Sequence, residues 1–247
     1  LFLGYDKSQT KLIGELEKAG HKVTHSKEKL NTLEGFDLVI CFGYRYLIEK
    51  KIILEAKTPI INLHISYLPW NKGAHPNFWS FWDNTPAGVT IHEVDEGIDT
   101  GPIIFQKMIE FNIEKETFAT SYLKLIANIE ELFIENLDGI TSQEYKKQNQ
   151  RGRGSTHLVR ELPSDFAGWD ANIFEEIVRL EKTGFNPQRA KLDLIDKIEM
   201  VRTSNNINWM NLLRVVAEVA PDKLSEITSK INESDNLISS YFKQLGD

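Results

Sequence analysis

Near the front of this chain stand two apolar runs too continuous for a half-solvated sheet: Phe36–Phe42 (FDLVICF) and Thr58–Leu63 (TPIINL). A strand apolar at almost every position must be covered on both faces, the situation of a parallel sheet with helices above and below. The surrounding pattern agrees. LFLGY opens the chain, and a polar loop covers Asp6–Thr10. Leu12, Ile13, Leu16 and Ala19 then recur at helical spacing and stop at Gly20. Lys22–His25 reads as a short strand, Ile48–Ala56 as a short helix, Ala87–Val94 and Ile103–Phe111 as strands, and Phe118–Leu137 as a helix. Strands alternating with short helices imply an α/β fold: a mostly parallel, Rossmann-like sheet with right-handed crossovers, flanked by helices. Ligands on such sheets lie beyond the carboxyl ends of the strands.

The 29 basic and 36 acidic residues among 247 leave a net charge of −7, so nucleic acid and anionic membranes are not expected partners. A hydrophobic content of 41% is that of a globular protein and excludes intrinsic disorder. One cysteine, Cys41, precludes an intramolecular disulfide and fits a reducing compartment; inside a buried strand it is expected to be inert. No apolar run reaches the roughly 18 residues of a membrane span, and Leu1–Gly4 is too short for a leader, so a cytoplasmic location is expected. Neither G-x-G-x-x-G nor G-x-x-x-x-G-K-[ST] occurs, which disfavours a dinucleotide cofactor and an NTPase.

His64–Thr85 is unlike the rest. Pro69, Gly73 and Pro76 argue against regular structure across much of it, and Trp70, Phe78, Trp79, Phe81 and Trp82 load it with aromatics. Long loops of this composition in compact domains are usually functional. The character changes again near Gln148. The expected organisation is a domain over residues 1–147, a linker over 148–170 containing RGRGST, and a small helical C-terminal region over 171–247. Helices are expected at Ile173–Leu180, Leu192–Val201, Asn208–Val219 and Leu224–Leu245, the last led in by Pro221 and breaking near Ser234–Asp235. From residue 151 onward, 13 basic and 15 acidic side chains (13 − 15 = −2) do not make a nucleic-acid arm.

Three polar residues stand at strand ends. Asn62 and His64 are two apart and share a face if extended, and Asp99 lies in the turn DEGIDTGP. An amide that can stabilise an oxyanion, an imidazole that can move a proton and a carboxylate that can orient the imidazole suit acyl transfer. Position alone leaves bland readings open: a hydrogen-bonded structural histidine, a turn-forming aspartate, an asparagine capping the aromatic loop.

The segment NLHISYLPWNKGAHPNFWSFWDNTPAGVTIHEVDEGIDTGPII resembles the formyltransferases that use N10-formyltetrahydrofolate. Their pattern N-x-H-x-S-x-L-P, then G-V-T-x-H, then D-x-G-x-D-T-G-P stands here in order: Asn62, His64, Ser66, Leu68 and Pro69; Gly88, Val89, Thr90 and His92; Asp95, Gly97, Asp99, Thr100, Gly101 and Pro102. With the sheet included, the resemblance covers roughly Leu1–Leu137. It implies that Asn62, His64 and Asp99 are the catalytic trio and that N10-formyltetrahydrofolate is the co-substrate. It also implies a folate pocket at Val94–Asp99 (with Val94 and Gly97) and Gly43–Leu47 (with Gly43, Tyr44 and Tyr46). The alternative for the two tyrosines is simple packing at the strand end.

The acceptor is read from departures. A methionyl-tRNA formyltransferase would be longer, with a β-barrel and a basic surface. A glycinamide ribonucleotide enzyme would carry a glycine-rich phosphate loop where DKSQT stands, and a formyl-folate hydrolase would carry an amino-terminal regulatory domain. The sugar-nucleotide N-formyltransferase branch remains, acting on a nucleotide-linked amino-dideoxy sugar for a surface glycan such as lipopolysaccharide, with a homodimer implied. Alternatives are another small amine, hydrolysis of formyl-folate, or an inactive binding module. On this reading Trp70 and Trp79 stack on sugar or base, and Lys72 pairs with a pyrophosphate to which Gly73 offers backbone N–H. His75 and Arg151 join the substrate side. The competing readings are a satellite core for the aromatics and a solvated hinge for Arg151 and Arg153. His64, His75 and His92 lack a recognisable ligand spacing, so no metal is expected.

Overall fold

The computed structural model describes residues 1–152, 154–184 and 223–246. It divides into two compact units, Leu1–Lys182 and Thr183–Asp247. In the first, a six-stranded sheet contains β1 (Phe2–Gly4), β2 (His25–Ser26), β3 (Val39–Phe42), β4 (Ile60–His64), β6 (Gly88–Glu93) and β7 (Ile103–Met108), in the order β2-β1-β3-β4-β6-β7. The strands pair in parallel from β2 to β4, and β4-β6 and β6-β7 are antiparallel. The sheet is therefore parallel where the apolar runs are continuous and antiparallel beyond.

β3 shows why its run is apolar throughout. Ile40 and Phe42 project into the core shared with α1 (Leu12–Lys18) and α4 (Phe118–Glu135), while Val39 and Cys41 project into the opposite core beside α2 (Lys50–Glu55). In α4, Leu125, Ile129, Leu132 and Phe133 repeat at the helical period and face the sheet. Thr117 starts α4 with a capping box, its hydroxyl accepting from the Thr120 N–H and its own N–H donating to the Thr120 hydroxyl.

The aromatic segment departs from expectation. It holds a two-residue strand, β5 (Lys72–Gly73), and a helix, α3 (Pro76–Trp82). Pro76 is the reason: at the first helical position its missing N–H has no intrahelical partner to lose, so it starts the helix. Phe78 and Trp79 are fully buried, and Phe78 packs against Phe118 (ring centroids 5.5 Å apart) and Phe166 (5.3 Å). The satellite-core reading describes these side chains.

The expected boundary at 147/148 is not where the chain divides. Gln148 bridges Ile103, β8 (Thr156–His157) pairs in parallel with β5, and α6 (Ile173–Lys182) belongs to the first unit. Residues 148–152 and 154–182 are tied down by backbone pairing and aromatic packing, which a linker is not. α5 (Leu137–Thr141) follows α4 directly. In the second unit, Leu224–Gly246 forms a single helix without the break expected near Ser234–Asp235. The helices expected at Leu192–Val201 and Asn208–Val219, and the role of Pro221, lie outside the described residues. No helix among the described residues is long and apolar enough to cross a membrane.

Candidate functional site

β4 and β6 set the site's geometry. Their antiparallel register puts Asn62 opposite His92 and His64 opposite Thr90, so these four side chains share one face of the sheet. Asp99 arrives from the turn after β6. Asp95 builds that turn by accepting from the Gly97 N–H (3.0 Å) and the Thr100 hydroxyl (2.5 Å). Gly101 passes so close to the Glu93 carbonyl that no Cβ fits there. Asp99 itself sits in the left-handed region, φ 51°, which turns its carboxylate back over the strand ends.

Asn62 Nδ2 donates to Asp99 Oδ1 at 3.1 Å and lies 3.2 Å from His92 Nε2. His92 Nδ1 is 2.8 Å from the Glu93 carbonyl, an acceptor only, so Nδ1 carries the proton and Nε2 accepts from Asn62. His64 Nδ1 stands 3.7 Å from Asp99 Oδ2, and its Nε2 is 3.1 Å from the Asn71 carbonyl. Oδ2 also accepts from the Gly73 N–H at 2.8 Å. Gly73 has φ 83°, and an added Cβ would overlap the His157 carbonyl. Only glycine brings this N–H to the carboxylate.

Burial dominates the His64 imidazole and pushes its pKa down, opposed by the Asp99 charge, so the ring is neutral at neutral pH. Burial acts to raise Asp99 as well. It is outweighed by the charge the His64 and His92 rings would carry when protonated and by the Gly73 N–H, which together hold the carboxyl well below the usual carboxylate range. The pair at rest is therefore a neutral imidazole beside an anion. A proton taken up at Nδ1 would meet that anion directly.

A cavity of about 590 Å³ opens at this point. Asn62, His64, Gly73, His92 and Asp99 line it together with Gly43, Tyr44, Tyr46, Val94 and Gly97. The Tyr44 hydroxyl accepts from the Leu30 N–H and donates to the Glu28 carbonyl, which fixes its ring at the wall. Tyr5, Tyr122, His157, Leu158 and Val159 also line it. They escaped the sequence reading because they come from the ends of β1 and β8 and from α4, elements whose convergence only the fold shows. Tyr5 and Tyr122 join hydroxyl to hydroxyl at 2.5 Å.

The substrate-side expectations fare differently. Gly73 lines the cavity; Trp70, Lys72, His75, Trp79 and Arg151 do not. Trp79 is fully buried and stacks on His157 with centroids 4.0 Å apart, so it cannot offer a face to a sugar. Lys72 is only 9% exposed, and its N–H donates to the Ser155 carbonyl. With the Gly73 N–H committed to Asp99, the backbone donors expected for a pyrophosphate are already occupied. His75 packs on Trp169 with centroids 5.5 Å apart. Arg151 is exposed on the surface, and Arg153 lies outside the described residues. The Cys41 thiol is buried and its pKa pushed up to about 12, which leaves it unreactive. No group of three or more His, Cys, Asp or Glu among the described residues could hold a metal ion.

Comparison with known proteins places this geometry. Over 131 residues the chain is 31% identical to the dTDP-4-amino-4,6-dideoxyglucose formyltransferase of Mycobacterium tuberculosis, covering 53% of this chain and 54% of that one. It is 30% identical over 171 residues to a methionyl-tRNA formyltransferase of Lachnospira eligens, covering 68% and 53%. The chain thus spans about half the length of the curated relatives it matches. Among solved structures it resembles the formyltransferase PseJ from Anoxybacillus kamchatkensis, in complex with UDP-4,6-dideoxy-4-formamido-L-AltNAc and tetrahydrofolate. That likeness has a TM-score of 0.65 at 39% identity, covering 70% of this chain and 95% of that one. The sequence model described as Formyl transferase matches residues 9–137, more than half of the 247, and on that match the chain belongs to the formyl transferase family.

Proposed function

We propose that this chain transfers the formyl group of N10-formyltetrahydrofolate to the primary amine of a nucleotide-linked amino-dideoxy sugar. The observation that carries the reading is the convergence of Asn62, His64 and Asp99 on one wall of a cavity of about 590 Å³. That volume lies within the range of small-molecule sites. The part of the wall formed by Gly43, Tyr44, Tyr46, Val94 and Gly97 is apolar and aromatic with backbone edges, which suits a flat heterocycle. The folate supplies an activated formyl group.

The chain's own residues supply the rest. An amine attacking the formyl carbon forms a new C–N bond and must lose a proton, and His64 Nδ1, neutral and facing Asp99, is placed to take it. The Asp99 charge then stabilises the imidazolium. As the bond from that carbon to N10 breaks, N10 would leave as N–H with the proton the imidazolium returns. Asn62 Nδ2 has two N–H bonds in use, and the longer, to His92 at 3.2 Å, is the one that negative charge on a carbonyl oxygen would compete for.

The sugar acceptor is supported by PseJ, whose complex contains a UDP-linked formamido sugar. A UDP-linked 4-amino-4,6-dideoxy sugar is the first acceptor to test. Methionyl-tRNA is the second reading, favoured by the likeness to methionyl-tRNA formyltransferases and opposed by the net charge of −7. The proposal further includes a cytoplasmic homodimer, a product destined for a surface glycan, and no nucleic-acid or membrane partner. Incubation with formyl-folate and UDP- or dTDP-linked 4-amino sugars, read by mass spectrometry, should give the N-formyl product. Formylated methionyl-tRNA would establish the second reading instead, and formate released without acceptor would make the chain a hydrolase.

A further inference from the structure

Two main-chain groups of the loop 69–74 touch the reacting pair: the Asn71 carbonyl faces His64 Nε2 at 3.1 Å, and the Gly73 N–H faces Asp99 Oδ2 at 2.8 Å. A carbonyl can only accept, so the first contact commits the neutral imidazole to its Nε2–H tautomer and leaves the lone pair on Nδ1, toward Asp99. Which nitrogen of His64 can take a proton therefore depends on where the Asn71 carbonyl points.

That direction is set from outside the segment matched by the family's sequence. Asn71 is fully buried and held at φ 56°, a left-handed conformation that needs support. Ser155 provides it from both sides: its hydroxyl accepts from the Asn71 N–H at 2.8 Å and lies 3.0 Å from Asn71 Oδ1, to which it donates. Asn71 Nδ2 closes the set on the Thr85 hydroxyl at 2.8 Å. The main chain around Ser155 repeats the grip, its carbonyl accepting from the Lys72 N–H at 3.0 Å and its N–H donating to the Pro69 carbonyl at 3.3 Å. Residues 9–137 carry the family match; Ser155 lies beyond it.

We infer that Ser155 is a positioning residue that fixes the tautomer of His64 through Asn71, making Nδ1 the proton acceptor. The inference rests on the proposed function only for its catalytic consequence; the tautomer is a property of the free protein.

The test is long-range nitrogen–proton correlation spectroscopy of isotope-labelled histidine, with His64 assigned from the spectrum of His64→Gln. The unaltered protein should show the Nε2–H tautomer at His64, and Ser155→Thr, which keeps the hydroxyl, should match it. Ser155→Ala should show the two tautomers mixed. In the same variant kcat should fall about tenfold, the scale of one hydrogen bond lost at a transition state, with KM for formyl-folate unchanged. Its acid limb should also move to lower pH, because a loosened carbonyl no longer favours the imidazolium.

An Nδ1–H tautomer in the unaltered protein would overturn the inference. So would a Ser155→Ala variant that lost only thermal stability, with spectrum and pH profile intact. Should Ser155→Ala not fold, the spectra of the unaltered protein and of Ser155→Thr decide the matter. If no amine is ever formylated, the functional reading fails while the tautomer result still settles this one.

Discussion

Gln150 Nε2 donates to two main-chain carbonyls at once, that of Asp99 at 2.7 Å and that of Gly101 at 2.8 Å. It thereby clamps the left-handed residue that carries the site's carboxylate. Gln150→Ala should lower kcat about tenfold, the worth of roughly one good hydrogen bond, with a smaller change in KM. Steady-state kinetics against a formyl-folate series would check it. A changed KM at constant kcat would assign Gln150 to ligand binding instead.

The His64–Asp99 pair predicts a pH profile. Burial depresses the imidazole below its ordinary value of 6.5, and only the neutral form accepts a proton. The rate should therefore be flat above neutrality and fall with acid only below 6.5. Asp99→Asn removes the charge that favours the imidazolium, so the acid limb should shift to still lower pH while kcat drops about 10²–10⁴-fold. A limb moved upward would mean that His64 does not act as the base. His64→Ala should cost several orders of magnitude, and a loss below about tenfold would remove it from the mechanism.

Gly73→Ala is the sharpest backbone test. At φ 83° a Cβ would overlap the His157 carbonyl, forcing β5 away from β8 and taking the Gly73 N–H from Asp99. Activity should fall more than about 100-fold, since both strain and a lost charge-assisted bond act on the same carboxylate. A circular dichroism spectrum like that of the unaltered protein would attribute the loss to the site and not to unfolding.

Trp79 separates packing from binding. Fully buried and stacked on His157, it should destabilise the first unit by about 3–5 kcal/mol when cut to alanine. The thermal midpoint should fall by about 10 °C. If Trp79→Ala instead raised KM for the sugar nucleotide at constant midpoint, the aromatic cluster would be a sugar platform after all.

The central strands β3, β4, β6 and β7 and helix α1 were legible because each is announced locally. A continuous apolar run reports burial on both faces. A 3.6-residue period reports a helix face, and residues two apart on a strand share a side. α3 is hidden in the sequence because Pro76 has two meanings, a breaker inside a helix and a start at its first position, and spacing does not say which applies. Aromatic content does not say which face of Trp79 is covered. The answer came from His157, far along the chain.

What the amino-acid order determined by itself was the kind of sheet, while resemblance to the formyltransferases singled out Asn62, His64 and Asp99. What tertiary structure alone decided was which donors and acceptors stand against those three. Gly73 holds Asp99 and Asn71 holds His64, and the residues behind both, Ser155 and Gln150, are distant in sequence. A side chain's chemistry is written in its type, but its tautomer and charge depend on the donors and acceptors that folding brings against it, and no local pattern encodes those.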